Sequence, residues 1–253
     1  MTELSPETQA RNIIERLKMF NRKERDHLMK FALCDKPEEP RISPALWEMV
    51  GNSPTMPEPD EMFIGMDYHL NWLYAALATA HHSDLRSSYK NEWHEDIDAG
   101  DGNERPIKRS QEDVDLIIAW TTPKPHTLHL VLIEAKLDSS WGSQQFKSKK
   151  KRLTLLREDA EARGLNCIDW RFLLMSPKDA PTKNEFDLGN ISERHKWLLD
   201  KTKAKADQKL WHEKLPVHTT LRRVGRKTDS SDEWLTAVSL KTSKASGSSD
   251  DDT

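Results

Sequence analysis

Cysteine is nearly absent from this chain. Cys34 and Cys167 lie far apart in 253 residues and outside any CxxC or Cys/His ligand pattern, which leaves no framework for structural zinc or a disulfide scaffold. A reducing, cytoplasmic setting is the expectation. Long hydrophobic runs are missing too, since none approaches the ~18 apolar residues of a membrane span. The first residues, MTELSPETQARNIIERL, hold no positive segment followed by an apolar one, so no membrane partner is expected. Nor is there a surplus of one sign of charge. With 39 Lys and Arg against 42 Asp and Glu, the formal net charge is -3, and any case for nucleic acid must rest on local patches. With 36% hydrophobic and 32% charged residues the chain is polar for a compact fold, so some segments are expected to lie outside the core. No internal repeat is present.

What is there centres on residues 111–138, QEDVDLIIAWTTPKPHTLHLVLIEAKLD. Residues 116–120 and 128–133 have the length and the large or β-branched content of strands, whereas Pro123 and Pro125 cannot continue a ladder. A β-hairpin centred near Lys124 follows, and its register sets Asp115 opposite Ile133 or Glu134. Glu134 and Lys136 are two apart and share a strand face. Both sit in a run apolar enough to be buried, where unpaired charges cost several kcal/mol or roughly that order. A divalent metal with a partner acid would compensate them. Asp113, two before Asp115 on the same face, is a rival for that partner.

Around the hairpin, Ser5 as N-cap and Pro6 at the first helical position start a helix with Ile13, Ile14 and Leu17 on one face. A second helix is expected over 22–33 with Leu28, Phe31 and Ala32 inward, and a third over 45–50. Residues 66–82 read as a core helix that carries Asp67 and Asn71 on one face. Asp67 is there either a charge complementing the helix dipole or a further acid aimed at the metal site. His81 and His82 read as a polar helix end, and His94, Glu95, Asp96 and Asp98 as an acidic loop. A helix over 143–163, ending at Gly164, carries Lys147, Lys149, Lys150, Lys151 and Arg152, either a solvated face or a set of phosphate contacts. A strand over 167–175 follows, then helices over 191–199 and 201–211, and a terminal hairpin pairing 219–224 with 234–240. Part of the nine Trp could serve a partner surface.

Asp115 ahead of LIIAW, Glu134-Ala135-Lys136 closing the next strand, and Gln144 or Gln145 near the start of a helix resemble the PD-(D/E)XK, or restriction-endonuclease-like, nuclease superfamily. The resemblance covers residues 66–175, with Val114 in place of the proline that names the motif, and it extends to uncharacterised bacterial proteins. It implies an α/β fold, a small mixed β-sheet flanked by helices. The expected organisation is an N-terminal helical extension over 1–60 packed on the core, a nuclease-like domain over 61–240, and a disordered acidic tail over 241–253. The implied activity is a metal-dependent nuclease, hydrolysing phosphodiester bonds of DNA in the first place. Asp115 and Glu134 would hold Mg2+, with Mn2+ as a substitute and Asp67 as a weaker third acid. Lys136 would orient the attacking water or stabilise charge at the phosphate, with Gln144 or Gln145 in support. Nucleic acid is the implied partner, and a homodimer is compatible. A non-catalytic nucleic-acid-binding or assembly module that retains the fold is the alternative.

Overall fold

The hairpin expected from the two apolar runs forms, and a five-stranded sheet is built outward from it. The computed structural model describes residues 4–34, 36, 38–39, 41–51, 55–81, 112–123, 126–136, 144–177, 197–198, 211–214, 221–224 and 233–236. Strands β1 (Met62–His69), β2 (Asp113–Pro123), β3 (His126–Ala135), β4 (Ile168–Ser176) and β5 (Trp211–Lys214) stand side by side in that order. β2 pairs antiparallel with both β1 and β3, while β3 and β4 run parallel, so the sheet is mixed. A parallel pair needs a crossover, and helix α5 (Gln144–Ala162) lies within it. Gly164 ends α5 at φ +77°, with its N–H on the Glu161 carbonyl and the Leu165 N–H on that of Ala160. This is a Schellman end, which favours glycine. Among the described residues no heavy atom lies within 4 Å of a Cβ placed there. Gly164→Ala is therefore expected to cost only the backbone penalty of about 1 kcal/mol, measurable by urea denaturation.

Helices α1 (Pro6–Phe20), α2 (Glu24–Leu33) and α3 (Pro44–Val50) precede the sheet. The Ser5 hydroxyl accepts from the Thr8 N–H, and Ser43 caps α3 through the Leu46 N–H. Within residues 1–60, expected to pack on the core as an extension, α1 packs there closely enough to share its interior: Ala10, Ile13, Ile14 and Leu17 join the cluster formed by Ile117, Leu130, Leu132, Phe172 and the α5 residues Leu153, Leu156 and Ala160. By compactness the chain divides into Met1–Glu213 and Lys214–Thr253, so the first unit closes well before residue 240. In the second, β6 (Leu221–Val224) and β7 (Glu233–Thr236) pair antiparallel as the expected terminal hairpin. The tail over 241–253 and the helix expected over 201–211 lie outside the described residues, apart from Trp211, which begins a strand. The described part of 191–199 is residues 197–198. Trp47, Trp120, Trp170, Trp197 and Trp211 are all buried, so these five offer no partner surface.

Two elements depart from expectation. Residues 66–82 are not one helix: strand β1 runs through His69, and only Leu70–Ala78 is helical, as α4. Pairing with the outer edge of β2 outweighs the helix propensity of this stretch, since it satisfies backbone groups that β2 would otherwise leave open. The ladder matches Met66 with Leu116 and Tyr68 with Val114, and between them Asp67 has φ +48°, a left-handed value that Asp tolerates better than most residues. Phe63 and Ile117 face the core on one side of this row. Tyr68 and Val114, of opposite parity, face it on the other. The pleat therefore reverses at Asp67 and Asp115.

Helix α2 is also turned over. Leu28, Phe31 and Leu33 are 65%, 76% and 74% exposed, and Ala32 is exposed with them. The inward residue is Asp26, whose carboxylate accepts from the Met66 N–H at 2.8 Å and from Asn21 Nδ2 at 2.6 Å. Lys30 Nζ donates to Asp26 Oδ2 at 2.7 Å and to the Ile64 carbonyl at 2.6 Å. These polar groups serve the free edge of β1, and that need fixes which face of α2 points inward.

Tyr68 is fully buried, and its hydroxyl donates to the Leu17 carbonyl at 3.1 Å. Burial pushes the phenol far above its ordinary 10.0. The folded chain thus keeps a proton that the unfolded chain releases, so this contribution is intact below pH 10 and falls as pH rises beyond it. Alkaline denaturation curves are expected to show a steeper loss of stability above that pH in wild type than in Tyr68→Phe.

Candidate active site at the open end of the hairpin

The β2–β3 register is constant from Pro123 opposite His126 to Leu116 opposite Ile133. One step further places Asp115 across from Glu134, one of the two alternatives read from the sequence. Beyond that pair β2 no longer supplies carbonyls to β3, and Asp115 itself takes over: its Oδ2 accepts from the Ala135 N–H at 2.6 Å. On the other side the Lys136 N–H donates to the Met175 carbonyl, which keeps residue 136 in line with β4. Asp67 occupies the corresponding position on β1, so three acids lie in one row across three strands.

Glu134 shares its strand face with Leu128, Leu130 and Leu132, the face covered by α5. It is 4% exposed, and charge there requires partners. Lys149 of α5, 3% exposed, donates through Nζ to Glu134 Oε2. Lys136 Nζ stands 3.4 Å from Oε1 on the more open side. Burial pushes the Glu134 carboxyl above its ordinary 4.5; Lys149 pulls against this most strongly, Asp115 adds to it, and Lys136 opposes it least. The closest cation to the glutamate thus comes from the helix, fifteen residues later in the chain, rather than from its own strand.

The remaining acids are individually matched. Asp113 Oδ2 accepts from Lys23 Nζ at 3.2 Å, which takes the rival of Asp115 out of competition. Arg25 Nη1 lies 3.7 Å from Asp67 Oδ2, so Asp67 sits on a strand against an arginine and not on a helix face beside Asn71. The Ser148 hydroxyl donates to Glu112 Oε1 at 2.8 Å, and Arg152 Nε lies 3.3 Å from Glu112 Oε2. His69, paired in register with Asp113, has a buried Nδ1 with no hydrogen-bond partner among the described residues. Burial and then Lys23 hold its imidazole below the ordinary 6.5, against the pull of Asp113 and Asp67. Nothing in the sequence pattern marked Glu112 or His69, whose place here depends on strand register alone.

The five-residue basic run of α5 is not one solvated stripe. Lys149 and Arg152 turn inward to acids, while Lys150 and Lys151 are half-buried. Lys147 belongs to the first turn of α5 with Gln144 and Gln145, and the side chains of all three lie outside the described part of the structure. So do His82, His94, Glu95, Asp96 and Asp98. His81 follows α4 in a turn.

Two carboxylates at one strand end offer hard oxygen donors, and magnesium is commonly held by one or two carboxylates with retained water. The donor chemistry therefore fits such an ion. Asp115 forms no ion pair among the described residues, whereas both oxygens of Glu134 face lysine. No group of three or more His, Cys, Asp or Glu side chains arranged to hold a metal occurs among the described residues. No family model matches the chain, and no curated protein or solved structure matches it. Among the described residues no helix is long and apolar enough to cross a membrane.

Proposed function

We propose that this chain is a metal-dependent nuclease with a restriction-endonuclease-like core, hydrolysing phosphodiester bonds with DNA as the first substrate to test. The observation that carries the reading is the alignment of Asp115 and Glu134 at one end of the β2–β3 hairpin, with ammonium groups from β3 and α5 on the glutamate. Asp115 and Glu134 are the residues to hold Mg2+, for which Mn2+ can substitute. Such an ion, when bound, makes water a competent nucleophile at neutral pH and stabilises charge on a phosphoryl oxygen. Asp115 orients its carboxylate through the Ala135 N–H. Lys136, on the open side of Glu134, is placed to meet a phosphate with positive charge. Lys147, Lys150 and Lys151 are the residues for backbone phosphate contacts, and Gln144 or Gln145 would support the site from the start of α5.

The test is a cleavage assay on single- and double-stranded DNA and on RNA, with Mg2+ or Mn2+. Asp115→Asn, Glu134→Gln and Lys136→Met are expected to lose cleavage while retaining a cooperative melt. A chain that cuts none of these substrates and takes up neither metal by calorimetry would falsify the enzyme reading.

A second reading draws on the occupied state of Glu134: a nucleic-acid-binding module that keeps the fold without the chemistry. It expects binding that weakens steeply with salt and is indifferent to EDTA. Binding that disappears in EDTA yet survives high salt would remove it.

A further inference from the structure

We propose that Lys149 is a displaceable counter-ion of Glu134, which occupies the glutamate until a divalent cation takes its place. The proposal rests on the reading of Asp115 and Glu134 as the metal-holding pair. A carboxylate as buried as Glu134 cannot stand alone, because an uncompensated charge in a dry site is strongly unfavourable. Lys149 meets that need through a hydrogen bond to Oε2. A dication bound to Glu134 would lie within a few ångströms of this ammonium, and repulsion at that range in a poorly screened site is severe. The two therefore exclude each other.

The surroundings permit the exchange without a change of fold. Ser148 and Arg152, flanking Lys149 on the same turns of α5, are both fastened to Glu112. The helix backbone is thereby held in place while the Lys149 side chain, a compact ammonium on a flexible four-carbon stem, can rotate out. Lys136 plays a different part. It is 22% exposed and stands 3.4 Å from the other oxygen on the open side, where it can turn from the glutamate toward a phosphate without leaving the site. Glu134 thus always has a partner: Lys149 in the empty site and the metal in the loaded one. The basic run on α5, from the sequence either a solvated face or a set of phosphate contacts, acquires a third role at this one position.

The closing experiment is Mn2+ titration by calorimetry of wild type, Lys149→Met, Lys149→Arg and Glu134→Gln at a pH well above the glutamate range. Lys149→Met removes the competitor and keeps the volume, so Mn2+ is expected to bind about tenfold more tightly, as when a site that is competent about a tenth of the time becomes competent throughout. Lys149→Arg keeps a cation and is expected to bind no tighter than wild type. Tighter binding in Lys149→Met, including binding where wild type shows none, supports the proposal. If wild type binds, Glu134→Gln loses binding, and Lys149→Met is unchanged or weaker, the proposal is overturned while the metal-pair reading stands. If neither wild type nor Lys149→Met binds, or Glu134→Gln binds as wild type does, the metal-pair reading fails and the proposal fails with it. A measurement on unaltered protein covers the case of a variant that does not fold. Labelling of Lys149 with an amine-reactive acylating reagent, read by mass spectrometry against Lys150, is expected to accelerate several-fold on saturation with Mn2+. Unchanged labelling at saturation overturns the exchange.

Discussion

Asp26→Ala is expected to lower stability by about 3–5 kcal/mol, the cost typical of breaking a buried ion pair by removing one partner. Asp26 is 1% exposed and receives hydrogen bonds from the Met66 N–H, Asn21 and Lys30. Without it Lys30 keeps its charge beside the sheet edge with the Ile64 carbonyl and the Phe63 ring but no anion, and the Met66 N–H loses its acceptor. The asymmetry of buried pairs supplies an internal check. Asp26→Ala combined with Lys30→Met should cost less than Asp26→Ala alone, because no orphaned charge remains. Urea denaturation of the two single variants and the double variant measures this. The same loss would free the outer edge of β1, so the single variant is also expected to aggregate more readily, as light scattering would report.

Glu134→Gln is expected to reduce cleavage by about a thousand-fold, the upper end of what removal of one preorganised electrostatic contact produces. The amide keeps the shape of the side chain and an oxygen for Lys149, so the packing under α5 is retained. What is lost is the charge that would hold a cation and that Lys149 and Lys136 now balance. A matched loss of Mn2+ binding in the same variant separates this cause from a structural one. If cleavage persists within about tenfold of wild type, a factor that corresponds to only about 1.4 kcal/mol in the barrier, the glutamate is not at the reacting centre.

Much of the hairpin was legible in the residues. Strand period two, two apolar runs of strand length and a Pro-interrupted link are local signals, and together they specified a register close enough to set Asp115 across from Ile133 or Glu134. Ser5 as a cap and Gly164 as a helix end were legible for the same reason: capping involves residues three or four apart. The core face of α1 followed from helical spacing. β1 was not legible because MFIGMDYH and the helix after it make one continuous apolar stretch, and only the proximity of β2 decides where pairing stops and the helix starts. Helix α2 misled because its apolar residues do follow helical spacing. They ended outward because the edge of β1 required the charged ones.

By itself, then, the sequence determined the hairpin, a register that left Asp115 across from Ile133 or Glu134, and the two-residue spacing that sets Lys136 beside the glutamate, all consequences of backbone geometry over short separations; the folded ladder chose Glu134. Only the tertiary structure decided that Lys149, reached through the crossover and carried on α5, is the nearer cation of Glu134. It also decided that Asp67 answers to Arg25 and that the pleat reverses at the row of acids. These depend on which face of a distant element comes to rest against the sheet, and that is settled by burial and by compensation of charge across the whole core.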